Sequence, residues 1–562
     1  MVRKLVGIET AGSINILFTD KTGTLTKGNL TAECIITGDG EAFSSFNELS
    51  KYTKYADLTA KASICNGTAA LSSDGVPIGG NSTERALVAF AAPMYRTLAD
   101  IPKEKSVPFD SAKKYAWTRL SDGTVFVKGA PEKLLPKCAG YYDKNGTVRR
   151  GLPPIVWEKL SVLTDGAMRV LLLATSDCDF DEKNAKLTLI GLVGIRDSLR
   201  PEARASVETV RRAGIQTVMI TGDNKETAVA IAREAGILLD KEGEVILTGS
   251  ELSEMSDREI AERLKALRVV ARALPTDKSR LVRIAQEEGL VVGMTGDGVN
   301  DATALKRADV GFAMGSGTEV AKEAGDIVIL DDRFASITRA VLYGRTIFHS
   351  IRKFIVFQLT MNFCAVCISF IGPFVGVDSP VTVTQMLWIN IIMDTLAGLA
   401  FAGEAPQKAY MQEMPKSRKE PIITGKMLGQ IIITGGYTAV LLGMFLMAPS
   451  FRAIYGFASD FVGFMTAFFT LFVFCGIFNA FNARTSRIRF LANIGKNKGF
   501  LFIMTAVSFA QILLIFFGGA MFRTHALAWS VIRDILLLAF TVIPFDLMRK
   551  IFIRIFTMGF EK

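Results

Sequence analysis

Ser13-Ile-Asn-Ile-Leu-Phe-Thr-Asp20-Lys-Thr-Gly-Thr-Leu-Thr26 joins a short apolar run to an acidic residue and a glycine turn. An apolar stretch of that length, bounded by polar punctuation, reads as a buried strand. A carboxylate at the carboxyl end of such a strand is where open α/β sheets place their chemistry. The pattern recurs twice. Gln216-Thr-Val-Met-Ile220 runs into Thr221-Gly-Asp-Asn224, and Leu290-Val-Val-Gly-Met294 runs into Thr295-Gly-Asp-Gly-Val-Asn-Asp301. Between them, Pro275-Thr-Asp-Lys278 opens an amphipathic helix, so one sheet edge can gather Asp20, Thr221, Lys278, Asp297 and Asp301. One Thr-Gly-Asp alone is weak, because Gly-Asp turns are common at strand ends. Three such ends beside Asp-Lys-Thr-Gly-Thr are not coincidence.

This set suits phosphoryl transfer. A carboxylate nucleophile forms an aspartyl phosphate, a second carboxylate holds Mg²⁺, and a lysine and a hydroxyl neutralise the equatorial oxygens. No Gly-x4-Gly-Lys-Ser/Thr stretch occurs, which excludes a P-loop.

Outward from this region the composition changes. The 562 residues are 49% hydrophobic and carry a net charge of +10. From Ile351 onward 19 Lys/Arg face 9 Asp/Glu, whereas the first 350 residues are balanced at 46 against 46. A balanced part followed by a greasy, basic part reads as soluble domains joined to a membrane domain, not as a nucleic-acid footprint. Two histidines, His349 and His525, leave little room for histidine catalysis or a histidine-rich zinc site. Seven scattered cysteines suggest a reducing compartment for the soluble part. The first residues have no apolar run that reads as a signal peptide.

Six apolar stretches, 354–374, 382–403, 429–448, 461–482, 499–521 and 529–548, each have the length needed to cross a bilayer. Positive residues concentrate in alternate connections: Lys408, Lys416, Arg418, Lys419 and Lys426, then Arg484, Arg487, Arg489, Lys496 and Lys498, then Arg549, Lys550, Arg554 and Lys562. The other connections hold Arg452 and Arg523, so both ends and the soluble half are expected in the cytoplasm. Polar groups inside spans are costly and functional by default. Asn390 and Asp394 lie one helical turn apart, with Asn362 in the preceding span, and these oxygens suit a hard cation such as Ca²⁺. The plainer reading is a hydrogen-bonded helix interface. Cys364-x-x-Cys367 reads as compact packing filler rather than a soft-metal path.

The motifs then converge on a known family. Asp20-Lys-Thr-Gly-Thr-Leu-Thr26, Lys128-Gly-Ala-Pro-Glu132, Asp197-Ser-Leu-Arg200, Thr221-Gly-Asp-Asn224 and the run from Thr295 to Asp301 resemble, in order, the motifs of P-type ATPases, most closely the plasma-membrane-type calcium pumps and their bacterial relatives. The resemblance implies an α/β haloacid-dehalogenase-like (Rossmann-like) phosphorylation domain at 1–30 and 191–345. It implies an inserted α+β nucleotide-binding domain at 31–190 and an all-α six-helix transmembrane domain at 346–562. Asp20 would be the phosphorylated nucleophile, with Thr22 (through its carbonyl) and Asp297 also binding Mg²⁺. Thr221, Lys278 and Asn300 would surround the phosphoryl group, with Asp301 in support. Related phosphatases carry a second Asp two positions after the nucleophile; Thr22 stands there, which favours a persistent phosphoenzyme and hence a pump.

For ATP, the resemblance implies Phe109 against the base, Lys114 and Lys128 lining the pocket, and Glu84 and Arg169 on the nucleotide, with Thr22, Gly222, Asp223 and Arg272 also contributing. An aromatic face plus cations fits that ligand, although without the resemblance Phe109 would more often be core and the two lysines merely solvated. Asn362, Asn390 and Asp394 would carry Ca²⁺. Two-site calcium pumps have glutamates where Ala365 and Gly476 stand, so one Ca²⁺ per cycle is expected. The family's actuator domain and first four membrane helices precede the phosphorylated Asp, and here Met1 lies 19 residues ahead of Asp20. The expectation is therefore a carboxyl-terminal pump portion, incompetent alone and partnered by an N-terminal portion. Thr248-Gly-Ser-Glu251 only superficially resembles the actuator's Thr-Gly-Glu loop. The alternatives are a membrane-tethered phosphatase, a pump for another cation, and a non-catalytic remnant.

Overall fold

The computed structural model describes residues 1–166, 168–181, 185–418, 420–485 and 487–560, with the side chains at 393, 394 and 556–560 outside the description; Lys419 and Lys562 lie outside it too. The chain forms two compact units, Met1–Ala340 with Gln412–Pro415, and Val341–Met411 with Lys416–Lys562.

The first unit holds an all-parallel sheet of β1 (Ile16–Asp20), β2 (Gln216–Ile220), β3 (Val245–Thr248), β4 (Leu267–Ala271), β5 (Val292–Gly296), β6 (Val310–Met314) and β7 (Ile327–Ile329), in the order β3-β4-β2-β1-β5-β6-β7. Parallel strands covered by helices on both faces are continuously apolar, and Ile16, Leu17 and Phe18 are at most 1% exposed. β1 is central. Its partners run from Ile16↔Gln216 to Asp20↔Ile220 on one side and from Ile16↔Val292 to Phe18↔Met294 on the other. The chain order reverses across β1, so Asp20 ends the strand at the topological switch point.

A second, nine-stranded mixed sheet takes its strands from residues between Thr26 and Leu199. Strand Thr26–Thr37 leaves the Asp20 loop and pairs antiparallel with Leu187–Leu199. Residues 31 and 190, where a domain change is expected, thus fall inside continuous strands. Residue 345 likewise falls inside the helix Phe334–Ile371.

Among the described residues, five helices are long and apolar enough to cross a membrane: Phe334–Val375, which begins in the first unit and continues in the second, and Val383–Ala402, Gly425–Met447, Phe461–Arg484 and Lys498–Phe517 in the second. The sixth expected stretch is instead divided into Trp529–Phe540 and Val542–Phe560. Pro544 supplies no N–H to the preceding turn, and the helix breaks at Thr541. The fourth helix is apolar all round, as a central helix must be; Phe464, Phe468, Phe469 and Phe472 are fully buried. Cys364 is buried as filler, its thiol donating to the Gly435 carbonyl at 3.2 Å. One charged knot ties several helix ends. Glu404, 7% exposed at its side chain, meets Lys353 and Arg484 at 3.3 Å each, and Asn497 donates to it at 3.2 Å.

Candidate active site

The turn after β1 is built around its glycine. Asp20 caps it, the Lys21 N–H donating to Asp20 Oδ1 at 2.9 Å, while Gly23 takes φ +71°. A Cβ on Gly23 would lie 2.6 Å from Asp297 Oδ2, so the backbone must come this close to the β5 loop. Thr295 accepts the Asp20 N–H at 3.0 Å and donates to Thr19 Oγ1 at 3.2 Å, locking the ends of β1 and β5 together.

Around this turn the expected residues assemble. Lys278 Nζ donates to Asp301 Oδ1 at 2.6 Å and lies 3.5 Å from Asp20 Oδ1. The N–H groups of Asp297 and Gly298 donate to Asp301 Oδ2 at 3.3 and 3.2 Å, which fixes that carboxylate. Carboxylate oxygens of Asp20, Asp297 and Asp301 lie within 4.8 Å of one another. Burial pushes the Asp20 carboxyl up to about 6, against the pull of Lys278 and with the push of Asp301 and Asp297. Burial, then the Asp301 charge, also lifts Asp297. Burial opposes the charge on Lys278, but Asp20 and Asp301 outweigh it and raise its pKa. Three carboxylates around one ammonium leave excess negative charge on oxygen ligands, a donor set that fits Mg²⁺. Because Asp301 is tied to Lys278, Asp20 and Asp297 are the pair with oxygens to offer.

Thr221, 2% exposed, accepts from the Asp223 N–H at 3.2 Å. Thr22, Gly222 and Asn300 are exposed at the mouth. Arg272, also exposed, has φ +50° and donates its N–H to the Asp223 carbonyl at 2.8 Å. Thr248 and Glu251 close a helix capping box, which accounts for that Thr-Gly-Ser-Glu stretch locally.

Sequence reasoning gave no role to Lys21, Asp197 or Arg200. Lys21, 7% exposed, pairs with Asp223 at 2.7 Å. Asp197 accepts from Thr26 Oγ1 at 2.6 Å and the Gly28 N–H at 2.9 Å, and Arg200 donates to the Gly23 and Thr26 carbonyls at 3.1 Å each. These contacts fasten the crossing strands to the Asp20 turn. Their signal was the Asp197-Ser-Leu-Arg200 motif itself.

A cavity of about 660 Å³ is lined by Lys21, Arg169, Asp197, Asp223, Asn224 and Thr227, among others, joining the edge of the second sheet to the loop after β2. Arg169 Nη1 donates to Thr83 Oγ1 at 3.4 Å. A smaller pocket of about 200 Å³ is lined by Phe109 and Glu84. Phe109 is 46% exposed there, a ring presented rather than packed. Glu84 Oε1 accepts from Lys128 Nζ at 2.7 Å, and Oε2 accepts from the Thr68 N–H and hydroxyl at 3.3 and 3.1 Å. Burial works against both charges of this pair. Lys128 and the Thr68 donors nevertheless hold Glu84 below its usual range, while burial leaves Lys128 below its own. Lys114, at φ +64°, pairs with Glu132 at the surface at 3.1 Å and does not line the smaller pocket.

In the helical unit, Asn362 and Asn390 lie on exposed helix faces, and the Asp394 side chain is outside the described residues. The helix winds as a π-segment over Ile391–Ala397, the kind of local irregularity that gathers at functional sites.

Comparison with known proteins follows the same division. Residues 378–552 match the cation transporting ATPase C-terminus family. The chain is 35% identical over 94% of its length to calcium-transporting ATPase 9, plasma membrane-type, of Arabidopsis thaliana, covering 52% of that protein. It is 37% identical over 94% to calcium-transporting ATPase 3, plasma membrane-type, of Oryza sativa subsp. japonica, covering 54%, and 36% identical over 94% to a calcium-transporting ATPase of Dictyostelium discoideum, covering 52%. The chain thus spans about half the length of the curated relatives it matches. With the parallel sheet, its switch-point aspartate and the match of residues 14–309 to the haloacid dehalogenase-like hydrolase pattern, the chain belongs to the haloacid dehalogenase-like hydrolase family.

Proposed function

We propose that this chain is the phosphorylating and ion-conducting portion of an ATP-driven calcium pump that works through an aspartyl phosphate. The observation that carries the reading is Asp20, at the switch point of the parallel sheet, facing Lys278 at 3.5 Å with Asp297 and Asp301 beside it. Both close contacts on Asp20, from the Lys21 N–H and Lys278 Nζ, fall on Oδ1, so the other oxygen attacks. A bond forms between that oxygen and the γ-phosphorus, the bond to the bridging oxygen breaks, and ADP leaves with the electron pair. Mg²⁺, when held by Asp20, the Thr22 carbonyl and Asp297, supplies charge neutralisation for this transfer. Lys278, the Thr221 hydroxyl and the Asn300 amide serve the equatorial oxygens, and Asp301 keeps Lys278 aimed.

The raised Asp20 pKa makes its carboxylate more basic and a better nucleophile. With Thr22 two residues on, no carboxyl stands at that position to drive hydrolysis, and the acyl phosphate lasts long enough to be coupled to transport. Phe109 and Glu84, the latter held by Lys128, serve the base side of ATP, with Arg169, Gly222, Asp223 and Arg272 towards the phosphates. Asn362, Asn390 and Asp394 contribute oxygens to Ca²⁺ within a multi-pass membrane domain whose ends face the cytoplasm, and an N-terminal portion supplies the actuator function. The test is acid-stable labelling from [γ-³²P]ATP, with and without Ca²⁺. Label on the protein that hydroxylamine removes and that Asp20→Asn abolishes supports the reading. Label that resists hydroxylamine, or that persists in Asp20→Asn, overturns it.

A further inference from the structure

Residues 485–497 join the helices Phe461–Arg484 and Lys498–Phe517, both long and apolar enough to cross a membrane. Where both helices span a bilayer, the connection between their facing ends lies at its surface. This connection is pinned. Arg484 donates to the carbonyls of Phe490 and Ala492, which folds the connection back over the end of its helix. At the other end Asn497 donates to the Ala400 carbonyl at 3.0 Å and accepts the Phe500 N–H at 2.9 Å. Tight turns fill the interval, the N–H groups of Ala492, Ile494 and Lys496 donating to the carbonyls of Arg489, Leu491 and Asn493.

What the pinned connection presents is both basic and apolar. Arg487, Arg489, Lys496 and Lys498 are exposed, and Ile488 and Leu491 between them are 37% and 50% exposed. None of the four cations has an ion-pair partner among the described residues, and the sequence carries no Asp or Glu from Phe461 to Arg533. The bias of basic residues toward one side of a membrane does not ask for this, because neutralised cations meet it equally well. Arg549 and Lys550, after the last apolar stretch, both pair with Asp546 at 2.7 Å, and Lys416 meets Glu420 at 3.7 Å. Lys498 is also the first residue of its helix, where the backbone dipole disfavours a cation. Unpaired like charges held together on one turn repel unless an anion is supplied to them.

We infer that residues 485–498 form a docking surface for anionic phospholipid, resting on the reading of the helical unit as a membrane domain. Arg487, Arg489, Lys496 and Lys498 take the charged headgroup, and Ile488 and Leu491 enter the boundary of the acyl chains. Four or more Lys/Arg beside a spanning helix attract acidic lipid. Aliphatic side chains interleaved with cations mark a segment that lies in the headgroup region. A soluble anion would satisfy the charges but leave Ile488 and Leu491 in water; a lipid serves both.

The experiment reconstitutes the full-length chain into phosphatidylcholine vesicles that carry a trace of photoactivatable phosphatidylserine or, separately, of photoactivatable phosphatidylcholine. Labelled peptides are then mapped by mass spectrometry. Wild type is expected to take label within 485–498 roughly fivefold more from phosphatidylserine than from phosphatidylcholine. With Arg487→Gln, Arg489→Gln, Lys496→Gln and Lys498→Gln combined, the two lipids are expected to label that segment equally, while labelling along Phe461–Arg484 stays as in wild type. Inorganic phosphate added at constant ionic strength is expected to leave the wild-type ratio unchanged. Equal labelling of wild type by the two lipids overturns the inference and leaves the surface to an acidic protein segment, and does so even where the variant fails to fold. A ratio that survives in the variant, or that inorganic phosphate abolishes, overturns it as well. In each case lipid still labels the spanning helices, so the membrane reading stands. Absence of lipid label from all of those helices overturns both.

Discussion

At the scale of single residues the site stores its own tension. Asp20 is held at about 6, above the 3.8 of a free aspartate, by burial and by Asp301 and Asp297. A carboxyl whose folded pKa exceeds its unfolded one costs nothing below the unfolded value and costs most once pH has risen through the folded one. Asp20→Asn, with divalent cations chelated, is therefore expected to melt higher than wild type at pH 8, by up to roughly 3 kcal/mol, and no higher at pH 4. Thermal denaturation across that range checks the sign, and equal gains at both ends would refute it. Gly23→Ala tests the neighbouring contact. A Cβ forced to 2.6 Å from Asp297 Oδ2 at φ +71° is expected to cost about 1–3 kcal/mol and to cut phosphorylation at least a hundredfold, read by ³²P labelling.

The same scale marks how far sequence can be read. Asp20, Asp297 and Asp301 were legible because each follows an apolar run, and strand ends declare themselves. Lys21 was masked by its motif: adjacent to Asp20, it turns away to Asp223.

Elements were legible where one periodicity governed them. The parallel strands and five long helices follow from apolar runs alone. The last expected span was long and apolar enough, but one proline at position 544 outweighed its composition. The inserted sheet left little pattern, since its outer strand Lys103–Asp110 is mostly exposed. What no periodicity announces is the knot at the helix ends. Arg484 has 1% of its side chain exposed, lies 3.3 Å from Glu404, and donates to the carbonyls of Phe490 and Ala492. Deleting one partner of a buried ion pair strands the other charge. Glu404→Ala is therefore expected to destabilise the helical unit by about 3–5 kcal/mol, with Glu404→Gln in between. Buried Cys364 and Cys475 provide the readout, as a thiol-reactive dye reports their exposure on heating. An unchanged melting curve would show the knot to be ornamental.

For the whole molecule, the question is whether half the length of its relatives suffices for transport. The Asp20 cluster lies wholly within Met1–Ala340 and is closed by its own contacts. Asn362 and Asn390 differ, because they sit on exposed faces of helices that composition assigns to the bilayer. An amide facing lipid lacks partners and is costly, so such groups normally face protein or a wet cavity. A Ca²⁺ cage needs six to eight oxygens, and Asn362 and Asn390 offer two amide oxygens among the described residues. The chain reconstituted alone in vesicles is therefore expected to label on Asp20 yet to take up no ⁴⁵Ca above an Asp20→Asn control. Adding a polypeptide that corresponds to the other half of a relative is expected to restore uptake, with one Ca²⁺ per phosphorylated site. Robust uptake by the chain alone would show that the exposed amides already belong to a complete ion path.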